Sequence, residues 1–133
     1  MKHSRRMLLG MLLTTSLLFF AAGAALAQDV MKVSPETHKV LLENDQVRVL
    51  EARMKPGEKV AMHSHPANVV YFFTDGKIKI TYPDGKTEVR EVKAGVAGWS
   101  EGVTHAAENV GTTEFHELQI ELKKPALANK KTM

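Results

Sequence analysis

The sequence contains no cysteine. Disulfides, thiolate zinc sites and cysteine nucleophiles are therefore excluded. Net charge is missing from most of the chain as well. The first 27 residues hold three of the 18 lysines and arginines and none of the 15 acidic residues, so the remainder carries 15 charges of each sign. A basic footprint for nucleic acid is absent, and the ending KKPALANKKTM reads as a solvated basic tail. There is no internal repeat, no low-complexity segment and, beyond the N-terminal region, no sustained helical periodicity.

The N-terminal region has its own grammar. Lys2, Arg5 and Arg6 form a basic head, an apolar run follows, and small residues end at Ala25-Leu26-Ala27. This is the layout of a secretory signal peptide spanning residues 1–27, with cleavage before Gln28. The alternative is an uncleaved anchor, since Met7 to Ala27 counts 21 residues, near the ~20 needed to cross a bilayer. The Ala-x-Ala end and the polar start favour cleavage, and hence a periplasmic or secreted protein that leaves the membrane once cut. Arg5-Arg6 partly matches a twin-arginine export signal, and the ordinary export route remains open beside it. A lipoprotein is unlike this chain, because no cysteine stands near the cleavage site.

Short strand patterns fill residues 28–122, which reads as one domain, with residues 123–133 as a flexible basic tail. HKVLLE stops at Asn44-Asp45, QVRVLEAR at Pro56-Gly57 and NVVYFFT at Asp75-Gly76, the last a hairpin signal. KIKITY alternates cleanly and stops at Pro83-Asp84-Gly85. KTEVREV, VAGWS, VTHAAEN and FHELQIEL follow. Many short strands at this spacing predict an all-β sandwich or barrel.

Three histidines, His63, His65 and His105, lie in or beside these strands. His63 and His65 are one residue apart, so an extended chain projects both to one face. Imidazole suits zinc, copper, iron and nickel. A lone histidine is usually structural, so the third matters only if folding brings it to the pair.

Spacing then brings in a family. Gly57, five residues, His63-x-His65 and Gly76 stand in the register of the first cupin motif, and Gly102, His105 and Asn109 in that of the second. The chain resembles a small single-domain cupin. That resemblance implies a jelly-roll β-barrel (a double-stranded β-helix) in which the three histidines converge on one divalent transition metal: iron, zinc, nickel, copper or manganese. There are departures. Ser100 replaces the usual proline, the opening glycine of the second motif comes one residue late at Gly95, and the family's glutamate ligand falls on Val69, or on Val70 if the spacing is shifted by one. The site is then a three-histidine centre, a centre completed by another residue, or a barrel that has lost its metal.

Strand parity sorts the remaining candidates. Counting straight through from His63, the inward set is His63, His65, Val69, Tyr71 and Phe73. Tyr71 is then the inward group able to donate a hydrogen bond to a bound ligand, the weak catalytic candidate. Asn68 points outward, Glu101 lies in a solvated turn, and Trp99 and Phe72 are packing residues. His116 shares the apolar, inward face of FHELQIEL with Leu118, Ile120 and Leu122, as a core histidine or a pocket residue. His38 is assigned to the surface. An outward pair, Val70 and Phe72, together with the small core, predicts a homodimer. The resemblance to three-histidine cupin dioxygenases implies an oxygenase acting on a small organic molecule. The competing expectation is a non-catalytic metal- or ligand-binding barrel, and a sugar-isomerase chemistry is a weaker third.

Overall fold

The computed structural model describes residues 28–123. The expected signal peptide and nearly all of the basic tail lie outside the described residues. Ten strands and one short helix are found among them: β1 (Gln28–Asp29), α1 (Val30–Val33), β2 (His38–Glu43), β3 (Val47–Met54), β4 (Lys59–His65), β5 (Asn68–Phe72), β6 (Gly76–Thr81), β7 (Thr87–Val92), β8 (Ala97–Ser100), β9 (Val103–Asn109) and β10 (Phe115–Leu122). They form two five-stranded sheets, ordered β1-β4-β9-β6-β7 and β2-β3-β10-β5-β8. All pairs are antiparallel except β1 with β4. The all-β jelly roll expected from the motifs is the fold observed.

The two sheets face each other over a shared interior. Val30, Leu50, Met54, Val60, Ile78, Ile80 and Phe115 form its buried apolar cluster. Burial of such side chains, worth roughly 1.5–3 kcal/mol each, is what a disulfide-free domain of this size relies on. Asn109, the last residue of the second motif, works here as a structural tie. It is fully buried, its Nδ2 donates to the carbonyls of Met54 and Thr113 at 2.8 and 2.9 Å, and its own carbonyl accepts from Gly57 of the first motif at 2.8 Å.

Three sequence readings of the turns and faces are corrected. Asp75-Gly76 is not a hairpin turn, because β5 and β6 belong to different sheets and the chain crosses between them there. Glycine is needed for space: a Cβ on Gly76 would lie 2.9 Å from the Phe115 ring. The parity of β5 is inverted. Pro66 ends β4 and the chain changes sheets, so the alternation restarts. Asn68, Val70 and Phe72 face the interior, while Val69, Tyr71 and Phe73 face out. The parity of β10 is inverted too: Phe115, Glu117, Gln119 and Glu121 are buried, and His116, Leu118, Ile120 and Leu122 point away from the interior.

Candidate metal centre

His63 and His65 come from β4, and His105 from β9. A β-bulge aims the first pair. Val60 pairs with Ala107 and His63 with His105, so β4 spends one residue more than β9 between these two pairings. The extra residue shifts the alternation, which lets Val60, His63 and His65 all face inward. Gly102, with φ of +107°, opens β9; a Cβ there would stand 3.2 Å from the His65 carbonyl oxygen. The second motif's glycine is what allows its strand to lie against the first motif's histidine.

The imidazoles meet edge to face. Nε2 of His63 lies 2.9 Å from Nε2 of His65 and 3.1 Å from Nε2 of His105, and the three ligand atoms are within 4.8 Å of one another. The far ring nitrogens explain which way the lone pairs point. His63 Nδ1 donates to the Ala61 carbonyl, inside the bulge, at 2.7 Å. His65 Nδ1 donates to Glu121 Oε1 at 2.6 Å. With Nδ1 carrying the proton, each Nε2 turns a lone pair toward the centre. Burial pushes His63 down to about 4 and His105 down to about 3, so both are neutral at pH 7.

A chain of ion pairs holds His65 in place. Glu121 also accepts from Arg48 Nε at 2.6 Å, and Arg48 reaches Asp29 at 2.6 Å. Burial alone would raise the Glu121 carboxyl, but the bonds from His65 and Arg48 hold it below its ordinary value. The N-terminal strand, through Asp29, is thereby tied to a ring of the centre. Sequence reasoning took Leu118, Ile120 and Leu122 as the inward face of this strand, which left Glu121 on the other; the alternation concealed it.

These residues fit a metal ion. Two donors about 2.0–2.1 Å from one ion and at right angles to each other lie about 3 Å apart, close to the two spacings seen. Neutral nitrogens with lone pairs turned toward each other leave polar valence unsatisfied in a buried place, and a cation is the group that answers it.

The centre opens on a cavity of about 740 Å³ between the sheets. His38, placed on the surface by sequence reasoning, is 6 % exposed and lines that cavity, its ring 6.2 and 6.5 Å from those of His63 and His65. Its Nδ1 is bonded to Thr37 Oγ1 at 2.9 Å, and burial lowers it to about 4. The first residue of β2 is inside the barrel because that strand pairs at Ala52 with the inner face of β3. Asn68, expected outward, is likewise buried on the cavity wall.

Tyr71 is not in the cavity. It is 38 % exposed on the outer face, edge-on to Phe73 at 5.2 Å, so it cannot serve a ligand inside the barrel. Val69 is outside also, and Val70 is the residue of this pair that lines the cavity. His116 stacks on Phe73 at 4.4 Å and bonds Glu51 at 2.9 Å, away from the centre. Trp99 is 55 % exposed rather than packed, its Nε1 donating to Glu101 at 2.7 Å, whereas Phe72 packs against the core as expected.

Solved structures decide the family. A cupin domain from Bordetella pertussis is 32% identical, with a TM-score of 0.61 over 65% of this chain and 92% of that one. The chain belongs to the cupin family. A double-stranded β-helix protein from Klebsiella pneumoniae matches at 25% identity and a TM-score of 0.53, over 65% of this chain and 75% of its own. An RmlC-like cupin from Methanocaldococcus jannaschii shares the fold at 14% identity and a TM-score of 0.53, over 65% and 78% of the two chains. Neither a protein-family model nor a curated protein matches this cupin.

Proposed function

We propose that this cupin is exported, holds one divalent transition metal on His63, His65 and His105, and binds a small organic anion in the adjoining cavity. The observation that carries the reading is the convergence of the histidine Nε2 atoms at 2.9 and 3.1 Å, with two of the rings locked by Nδ1 bonds. Bound there, the ion would keep its full charge, because no carboxylate joins the three imidazoles, and would supply Lewis acidity or, as iron, oxygen chemistry. Ala61 and Glu121 orient two of the rings, Arg48 keeps Glu121 ionised, and Met54, Val60, Ile78, Ile80 and Phe115 give the cavity an apolar wall. Oxidative cleavage of the ligand, a dioxygenase chemistry, is the reaction class this arrangement suits best. Metal analysis of protein taken from its native compartment, with oxygen uptake on a panel of organic acids, tests it. Stoichiometric metal supports the centre, and iron with uptake supports the oxygenase. Metal without any turnover would leave a binding barrel, and protein that takes up no metal would end the proposal.

Export is carried by the sequence of residues 1–27. Cell fractionation, and the N-terminal mass of the purified protein, check for release before Gln28.

We also propose a homodimer, through a different surface from the Val70–Phe72 pair, since those residues face inward. Leu42, Val49, Ile120, Val69 and Trp99 are successive register partners, so one apolar row crosses all five strands of the second sheet on its outer face. Its ends are open, Leu42 at 49 % and Trp99 at 55 % exposure. Monomers rarely leave such a continuous face uncovered, and a second copy covers it without new sequence. Ile120→Glu should turn the dimer into a monomer in sedimentation; a wild type that is monomeric at high concentration refutes the dimer.

A further inference from the structure

β10 turns three polar side chains inward in succession, Glu117, Gln119 and Glu121. Glu121 is occupied by His65 and Arg48. The other two answer mainly to each other: Gln119 Nε2 donates to Glu117 Oε1 at 2.5 Å. That leaves Gln119 Oε1. It is buried and has no hydrogen-bond partner, one of two such side-chain atoms among the described residues, the other being His105 Nδ1. Both side chains line the same cavity as the histidine centre, Gln119 at 6 % and Glu117 at 8 % exposure. An orphaned buried acceptor costs about 1–3 kcal/mol, and proteins keep few of them.

No protein donor reaches it. On the neighbouring strand Gln119 is in register with Val70, and Val70 with Gly98 beyond it. One is apolar and the other has no side chain. The orientation of the amide is also determined. Above about pH 7, the value to which burial raises it, Glu117 is ionised and can only accept, so there the Gln119 NH2 faces it and the oxygen faces the cavity.

We infer that Gln119, oriented by Glu117, is a ligand-recognition residue whose Oε1 accepts a hydrogen bond from a hydroxyl group of the bound organic anion. The inference rests on the metal-centre reading, which places the anionic end of the ligand at the histidines. The scale is consistent with one small molecule touching both. Gln119 stands two residues along β10 from Glu121, about 7 Å, and Glu121 is bonded to His65. The ligand class is therefore a short hydroxylated carboxylate, its carbon chain lying along Val70 and Phe72.

The test uses the zinc-loaded protein and calorimetry at about pH 8.5, where Glu117 is ionised. The probes are glycolate, 3-hydroxypropanoate, 4-hydroxybutanoate and 5-hydroxypentanoate, each against its O-methyl ether. The ether keeps the carboxylate and the oxygen but loses the donor. At one chain length the hydroxy acid should bind at least tenfold more tightly than its ether, because the ether leaves Oε1 unpaired. In Gln119→Leu that preference should fall below twofold while zinc affinity stays within threefold of wild type. Glu117→Met supplies a second reading that does not depend on the first variant folding. It removes the acceptor that holds the Gln119 NH2, so the amide is free to turn and the preference should drop at least threefold. A preference absent at every length, or one surviving in these variants as a mere size effect would, overturns the inference while leaving the metal centre standing. A wild type that binds no zinc overturns the metal-centre reading and this inference with it.

Discussion

Replacing Glu117 with Gln should change how stability depends on pH, and the sign follows from the position of the carboxyl. Burial in the barrel raises Glu117 from its ordinary 4.5 to about 7, against smaller opposing effects of the Gln119 bond and the charge of His65. The folded protein therefore holds this proton more tightly than the unfolded chain. A carboxyl with a raised value favours folding below the unfolded value and loses that contribution as pH rises through the folded one. The distance from 4.5 to about 7 is worth about 3 kcal/mol in full. Between pH 5 and pH 8.5 about 2–3 kcal/mol of it should be lost by the wild type and none by Glu117→Gln.

The assay is urea unfolding of both proteins in chelator, from pH 5 to pH 8.5, read as wild type minus variant. Taking the difference removes the histidine contributions, which are common to both proteins. The gap should move in the variant's favour as pH rises, with most of the change between pH 5 and pH 7. For a domain of this size the corresponding change in melting temperature is roughly 10 °C or more. A difference that is flat with pH would mean that Glu117 titrates as an ordinary exposed carboxyl, and that the interior beside it is wet.

Three further predictions concern the centre. His105→Ala should weaken zinc binding by orders of magnitude and remove the stabilisation that metal gives, while apo stability changes little; melts of both proteins with and without chelator read this, and a large apo loss with no metal effect would make His105 a packing residue. Glu121→Gln should loosen the hold on His65 and lower metal affinity about 10- to 100-fold, measured by competition with a chromophoric chelator; unchanged affinity would show that the Arg48–Glu121 chain is structural only. Val70→Glu should place a carboxylate on the cavity wall and strengthen manganese binding at least tenfold, whereas Val69→Glu, on the outer face, should leave it unaltered; the reverse ranking would refute the observed parity of β5.

The barrel was legible in the sequence because its punctuation is chemical. Pro83-Asp84-Gly85 does form the β6–β7 turn, with Gly85 at φ of +83°, and FHELQIEL and VTHAAEN are strands over the expected residues. The three histidines were legible because two motif spacings named them. Which way the side chains face was less so. Parity counted from His63 through Pro66 assumes an unbroken strand, yet the chain changes sheets at that proline, and Asn68, Val70 and Phe72 took the inward places given to Val69, Tyr71 and Phe73. The bulge before His63 is equally silent in a list of residue types, since it shows only as an offset in pairing between β4 and β9. His38 was misplaced because a strand's first residue carries no pattern of its own.

The inversion of β10 is of another kind, because there the pattern was clear and its usual meaning failed. Alternating apolar and polar residues place the apolar set inside when the interior is a dry core. Here a slip by one residue would bury Leu118, Ile120 and Leu122 and expose Glu117, Gln119 and Glu121. The observed register forgoes that. It is pinned at one end by Phe115 in the core and at the other by Glu121 between His65 and Arg48. A strand built only for stability would have no reason to bury two carboxyls and an amide opposite three histidines. On the proposed function the polar face is inside because the interior is a site, and the apolar face is outside as the other half of the same choice. The recognition residue Gln119 and the uncovered row through Ile120 are thus two consequences of one register, and a single substitution on each face, Gln119→Leu and Ile120→Glu, should separate them. The first should abolish the hydroxyl preference in a protein that remains a dimer, and the second should yield a monomer that still binds zinc. Loss of zinc binding on making the monomer would instead place the partner copy within the construction of the centre itself.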